Sequence, residues 1–283
     1  MVREYNDILE AVRSVKSKQA VIFDMDGLIF DTERVFMEQL AVAMKEHGYV
    51  LTRKIYTETL GLGGKKLVDF MQSKFGYDYP FEECSRKAQE RMAMISETIG
   101  LSVKPQIREL LQELKAGNIK CGVASSTKTE LVEKYLKQAE LNGFFDVVIG
   151  GDKVKVSKPE PDIFIYACER LNVSPMKALV LEDSENGIRA ARTAGIPVIC
   201  IPDLKEPSRE VEKLVTAIVR RFYEDYEKIR LVLGDNKKVN ESEQFIIKNV
   251  GMRSYEKTHY NTKKRKCLLR FDIILCGAYQ RGV

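Results

Sequence analysis

"FDMDGLIFDTE", residues 23–33, follows the apolar run Ala20–Val21–Ile22 and sets four carboxylates within eleven residues. The run has the length and composition of a buried strand, and the acids stand where it ends. Asp24 and Asp26, two apart on one short turn, repel each other unless a cation or a shared proton offsets their charge. Gly27 allows the backbone to turn closely behind them. Acids beside a glycine also occur in EF-hand calcium loops, but that spacing is D-x-D-x-D-G with a later Glu. Here Gly27 follows the second Asp directly, so the EF-hand reading fails.

Outward from this stretch, short β-branched runs recur: AVIFD (20–24), KCGVAS (120–125), DVVIG (146–150), ALVLED (178–183) and PVICI (197–201). Helical patterns separate them. PQIRELLQELKAG has Pro105 near its start, Ile107, Leu110, Leu111 and Leu114 on one face, and Gly117 at its end. TKTELVEKYLKQAEL, PDIFIYACERL and SENGIRAARTAG follow the same logic. Strands alternating with helices predict an α/β fold with a doubly wound parallel sheet. Such sheets bind ligands beyond the carboxyl ends of their strands. Asp24 and Asp26, Ser125 and Ser126, and Glu182 and Asp183 all fall at strand ends.

One segment interrupts the alternation. From Arg34 to about Leu101 the patterns are helical only, as in RVFMEQLAVAMKEHG, KKLVDFMQSKFG and FEECSRKAQERMAMISETIG. The expected organisation is a catalytic core of residues 18–33 and 102–222, a helical cap of residues 34–101, and a basic extension of residues 223–283. Closure of such a cap excludes water from the strand ends. The first residues are expected to form a short amphipathic arm before the first strand.

Composition bounds the rest. The 283 residues are 31% charged and 44% hydrophobic, the balance of an ordinary globular protein. Apolar stretches fall short of the roughly 18–20 residues that span a bilayer, so no membrane partner is expected. MVREYNDILEAVRSVKSKQ has no continuous apolar core, and no secretory leader is expected. The six cysteines are scattered without a CxxC pair. Cys121, Cys168 and Cys200 lie in apolar segments and read as buried thiols, which points to a reducing cytoplasm. A structural zinc site is not expected.

Each polar group at a strand end carries two readings. A carboxylate such as Asp24 can hold Mg²⁺ with one oxygen and attack phosphorus with the other. Asp26 can protonate a leaving alkoxide if crowding raises its pKa. The alternative is a helix-capping Asp in a solvated acidic loop, the default for one Asp but not for a pattern matched at other strand ends. Ser125, with backbone N–H groups at a helix start, can hold a phosphate; capping by Ser126 or Thr127 is the competing use. Lys158, between Ser157 and Pro159, can offset charge on a phosphoryl group and on Asp24. A lone Lys is usually solvated surface. Glu182 and Asp183 supply further acidic ligands for Mg²⁺.

In order, DMDGLIFDTE, VASST, SKPEPDIF and LEDSENGIRAARTAG resemble the four motifs of the haloacid dehalogenase-like hydrolase superfamily, over roughly residues 18–219. The likeness is strongest to the branch of β-phosphoglucomutases and sugar-phosphate phosphatases. It implies that Asp24 is a nucleophile forming an aspartyl-phosphate and Asp26 the acid/base. It also implies that Ser125, Ser126 and Lys158 hold the phosphoryl group. Asp183, helped by Glu182, would bind Mg²⁺ with Asp24 and the Asp26 carbonyl. Dehalogenases lack the second Asp, so Asp26 argues for phosphoryl chemistry.

Two departures bear on function. β-Phosphoglucomutases carry a His on the first cap helix where Phe36 stands here, and an Arg in the substrate loop where GLGGKK (61–66) offers only Lys65 and Lys66. A mutase must hold a bisphosphate by both ends, so a phosphatase of small phosphorylated metabolites is favoured over a phosphosugar mutase. The Gly61–Lys66 turn is expected to face the substrate. Residues 220–283 carry a net charge of +7 against −2 for the rest. RRFY (220–223) and KKRK (263–266) could contact nucleic acid, but short basic runs are more often solvated. FDIILCGAY (271–279) reads as a strand needing burial. A monomer acting on a small phosphorylated metabolite is expected.

Overall fold

A computed structural model describes residues 2–220. The expectations for the basic extension, including KKRK and FDIILCGAY, lie outside those residues. Ala20–Phe23 form a strand (β2) whose four residues are all buried. Val21 and Phe23 pack on one side with Ile8, Leu110 and Leu179, and Ala20 and Ile22 on the other with Ile163, Val180 and Ile188. Alternate residues of a strand point to opposite faces, so a strand covered on both sides must be apolar throughout.

Its neighbours are Lys120–Ala124 (β3) on one side and Ala178–Glu182 (β5) on the other, both parallel. Val147–Ile149 (β4) extends the sheet beyond β3, and Val198–Cys200 (β6) extends it beyond β5. With Arg3–Tyr5 (β1) and Ala217–Val219 (β7) at the far side of β6, the full order is β1-β7-β6-β5-β2-β3-β4, a seven-stranded parallel sheet. The chain winds outward from β2 through β3 to β4, then returns to lay β5 on the opposite side. β2 therefore stands where the winding reverses, the place such sheets bind ligands. Helices Ile107–Ala116 (α6), Thr129–Gln138 (α7), Asp162–Leu171 (α8) and Glu185–Thr193 (α9) cover the faces.

Two segments differ from the sequence expectation. The N-terminal residues are no separate arm: Arg3–Tyr5 (β1) is the edge strand, and Ile8–Ser14 (α1) buries Ile8, Ala11 and Val12 in the core. The partner of β1 is Ala217–Val219 (β7), whereas the family resemblance implies a helix near 206–222; among the described residues of that stretch only Arg209–Glu212 (α10) is α-helical. β1 reads REY and is largely exposed, so it gives no apolar signal. The three residues of β7 are fully buried, and sheet pairing overrides any helical periodicity.

Between β2 and α6 the chain forms four helices: Thr32–Glu46 (α2), Arg53–Thr59 (α3), Lys65–Phe75 (α4) and Phe81–Thr98 (α5). They share an apolar cluster built on Leu40, Met44, Tyr56, Met71, Tyr79 and Cys84. Cys84, Cys121, Cys168 and Cys200 are free and buried. Among the described residues no helix is long and apolar enough to cross a membrane.

Candidate active site

The strand register assembles the site. Phe23 lies opposite Val123 and Leu181, so the next residues, Asp24, Ala124 and Glu182, come side by side at the carboxyl edge of the sheet. The backbone N–H of Asp24 donates to Leu181 at 3.0 Å and holds it there. Lys158, in the loop before α8, reaches in from below. Its ammonium donates to Asp24 Oδ1 at 2.6 Å, Glu182 Oε1 at 2.6 Å and the Ala124 carbonyl at 3.1 Å. All three of its hydrogens are engaged. The Phe164 ring lies 4.9 Å from the same ammonium.

Glu182 is fully buried, and its second oxygen accepts from the backbone N–H and hydroxyl of Ser184, at 3.0 and 2.9 Å. Ser184 in turn caps α9 by accepting from Gly187. A Cβ at Gly187 would collide with the Glu182 carboxylate, and one at Gly27 with that of Asp183. Gly27 also has φ +78°, a conformation glycine adopts without strain. Burial raises the Asp24 pKa well above the ordinary range; Lys158 opposes the rise, while Glu182 and Asp26 add to it. Burial likewise raises Asp183, reinforced by Glu182 and Asp24. Burial alone would lower Lys158, but Asp24 and Glu182 outweigh it and hold the ammonium above its ordinary value.

Asp26 sits on the same turn and faces the second strand end. Its Oδ2 accepts from the hydroxyls of Ser125 at 3.1 Å and Thr127 at 2.8 Å. Ser125 is fully buried and also accepts from the Thr127 N–H at 3.0 Å. Its hydroxyl is turned to Asp26, and Ser126 and Thr127 line the open space. Neither Ser126 nor Thr127 caps α7, whose first N–H, on Thr129, donates to Asp152.

The open space is a cavity of about 380 Å³ above the strand ends. The sheet side contributes Asp24, Asp26, Ser126, Thr127, Lys158, Asp183, Ser184 and Asn186. The helical segment contributes Thr32, Glu33, Phe36 and Met92. Lys65 and Lys66, expected to read substrate, are exposed and absent from that lining; Gly61 approaches it only through Asn186. The sequence assigns no role to Glu33, Tyr56, Met92 or Asn186, and offers Thr127 only as a helix cap. Two had a signal: Glu33 closes the opening acidic stretch, and Thr127 follows the paired serines. Burial raises the Glu33 pKa to about 7, partly opposed by the Tyr56 hydroxyl, which donates to Oε2 at 2.7 Å.

Carboxylate oxygens of Asp24, Glu182 and Asp183 lie within 4.8 Å of one another. Three acids, Asp24 and Glu182 buried and Asp183 half-buried, stand against the single charge of Lys158; ionised, they leave an excess of two negative charges, which adds to burial in raising Asp24 and Asp183. The hydrogen bonds of the 24–30 turn use the carbonyls of Met25 and Phe30 and leave that of Asp26 free. This is an all-oxygen donor set suited to a hard divalent cation.

A family model of haloacid dehalogenase-like hydrolases matches residues 21–201. A "Phosphorylated carbohydrates phosphatase" of Thermotoga maritima is 33% identical over 178 residues, covering 63% of this chain and 82% of that one. A "Phosphoglycolate phosphatase" of Nitrosospira multiformis is 31% identical over 211 residues, covering 73% and 93%. The solved structure of CbbY from Rhodobacter sphaeroides in complex with phosphate superposes with a TM-score of 0.59 at 28% identity, covering 73% of this chain and 96% of that one.

Proposed function

This chain belongs to the haloacid dehalogenase-like hydrolases, and we propose that it is a Mg²⁺-dependent phosphoric monoester hydrolase of small phosphorylated carbohydrates. The observation that carries the reading is Asp24: a buried carboxylate at the open end of β2, facing a cavity, with Lys158 at 2.6 Å and Asp26 on the same turn. The name of the Thermotoga relative supports the substrate class.

Asp24 attacks phosphorus, and the bond from phosphorus to the ester oxygen breaks. Asp26 gives its proton to the departing alkoxide. The resulting aspartyl-phosphate is hydrolysed when Asp26, now a carboxylate, takes a proton from water attacking phosphorus, which releases phosphate and regenerates Asp24. Ser125 and Thr127 orient Asp26 by donating to one oxygen, leaving the other for the proton. Lys158 balances charge on Asp24 and on the incoming phosphoryl group, and Ser126 and Thr127 line its place. Asp24, Asp183, the Asp26 carbonyl and Glu182 would hold Mg²⁺, which when bound offsets the carboxylate charge and that of the phosphoryl oxygens. The helical segment 34–101 acts as a cap that shields the aspartyl-phosphate from bulk water. Purified protein should release phosphate from an aryl phosphate with Mg²⁺ and stop with EDTA. Silence across a broad panel of phosphosugars would overturn the assignment.

A further inference from the structure

The sheet side of the cavity is dense in polar groups, but the helical side offers one charge, Glu33 on α2, between apolar Phe36 and Met92. The Glu33 carboxylate is held through Oε2 by Tyr56 of α3, itself buried, and its other oxygen accepts no hydrogen bond among the described residues. Among the residues lining the cavity the only cation is Lys158, already bonded to Asp24 and Glu182. Lys104, whose charge also reaches Glu33, is buried and paired with Asp203 and Asp31. A second anionic group on a substrate would therefore meet a carboxylate and find no free cation.

We propose that Glu33, positioned by Tyr56, restricts this enzyme to esters with one phosphate and an uncharged, hydroxyl-bearing remainder, against bisphosphates and phosphorylated carboxylic acids. The inference deepens the phosphatase reading and rests on it. The free Glu33 oxygen accepts from substrate hydroxyls, the Asn186 amide can donate or accept, and Phe36 and Met92 cover the C–H faces of a polyol. Charge-assisted hydrogen bonds are the stronger kind, so a polyol gains where an anion loses. Two like charges about 6 Å apart at an effective dielectric of ~20 repel enough for roughly a hundredfold in affinity. A bisphosphate intermediate is disfavoured by the same charge, which separates this chain from a mutase.

The test compares kcat/KM at pH 8, above the Glu33 pKa of about 7, for sorbitol 6-phosphate and glucose 6-phosphate with 2-phosphoglycolate and fructose 1,6-bisphosphate, with p-nitrophenyl phosphate as the reference ester. The wild type should prefer the uncharged remainders by about a hundredfold. Glu33→Gln should narrow that ratio at least tenfold, losing rate on the polyol ester and gaining on the anionic ones. Glu33→Asp keeps the charge and should keep the discrimination; it also serves should the Gln variant not fold. Equal turnover of anionic and uncharged esters by the wild type, an unchanged ratio in Glu33→Gln, or loss of discrimination in Glu33→Asp would overturn the inference while leaving the phosphatase. No release from any ester, p-nitrophenyl phosphate included, would remove both.

Discussion

Two buried ionic clusters flank the turn of residues 24–31, and their charges differ. The first joins Asp24, Glu182 and Asp183 to Lys158 and opens on the cavity. The second joins Asp31 and Asp203 to Arg34 and Lys104, with Arg34 on Asp31 at 3.1 Å and Lys104 on both acids. Its four side chains are at most 6% exposed. The second cluster is neutral, two acids against two cations, although one buried oxygen of Asp203 has no hydrogen-bond partner among the described residues. It ties the start of α2 and the segment before α6, the two ends of the helical insertion, to the loop after β6. The first, with its three carboxylates ionised, has two charges too few on the positive side and faces the cavity. Burial of charge by itself does not mark a site; unbalanced burial beside a cavity does.

The contrast breaks most sharply at Asp24. Asp24→Asn should bring phosphate release to background, a loss beyond roughly 10⁴-fold, and abolish acid-trappable phosphoenzyme, because an amide does not attack phosphorus. Turnover within tenfold of wild type would deny the first cluster its chemistry. Asp26→Asn should cost roughly 10²–10⁴-fold on a sugar phosphate and less on an aryl phosphate, whose leaving group barely needs a proton. Equal losses on the two esters would remove Asp26 from the leaving-group step.

In the neutral cluster the effect should fall on stability. Lys104→Met leaves two buried carboxylates short of a cation and should cost about 3–5 kcal/mol, which lowers Tm by roughly 6–20 °C for a protein of this size. The double change Lys104→Met with Asp203→Leu should recover much of the loss. A single variant as stable as wild type would show that this cluster is not buried as a unit.

Mg²⁺ distinguishes the clusters next. At a hundred times its dissociation constant it should raise stability by ~2.7 kcal/mol, read as a rise in Tm that Asp183→Asn removes and Lys104→Met retains. The smallest expected effect belongs to Glu33, which faces Tyr56, Asp26, Asp203 and Lys104 and has its pKa raised by burial from 4.5 to about 7. A raised value means that the stabilising contribution is complete below pH ~4.5 and is lost as pH rises through about 7. Glu33→Gln should leave Tm unchanged at pH 5 and raise it at pH 8. Discounted for solvent in the cavity, the gain is ~1–2 kcal/mol. A gain equal at both pH values would assign it to packing.

Much of this was legible in the chain. β2 to β6 follow from continuous β-branched runs, because a parallel strand buried on both faces must be apolar. The strand ends follow too, since polar residues cannot continue inside. β1 and β7 were not legible: β1 reads REY, polar and largely exposed, and its pairing with β7 joins positions more than two hundred residues apart. The substrate-facing wall was misread for a related reason. A Gly-rich turn marks where backbone can approach a ligand, but which side of a helical layer faces the cavity depends on how its helices pack.

The opening stretch shows the division most plainly. Residue order alone determined that four carboxylates gather after one buried strand, and that such a gathering needs compensating charge. It points Asp24 and Asp26 to chemistry because acids and hydroxyls also stand at other strand ends. Tertiary structure decided four different surroundings: Asp24 on Lys158, Asp26 on Ser125 and Thr127, Asp31 on Arg34 and Lys104, Glu33 on Tyr56. A carboxylate has the same intrinsic chemistry at each place. What separates them is the count and sign of partners brought from distant parts of the chain, and only folding sets that count.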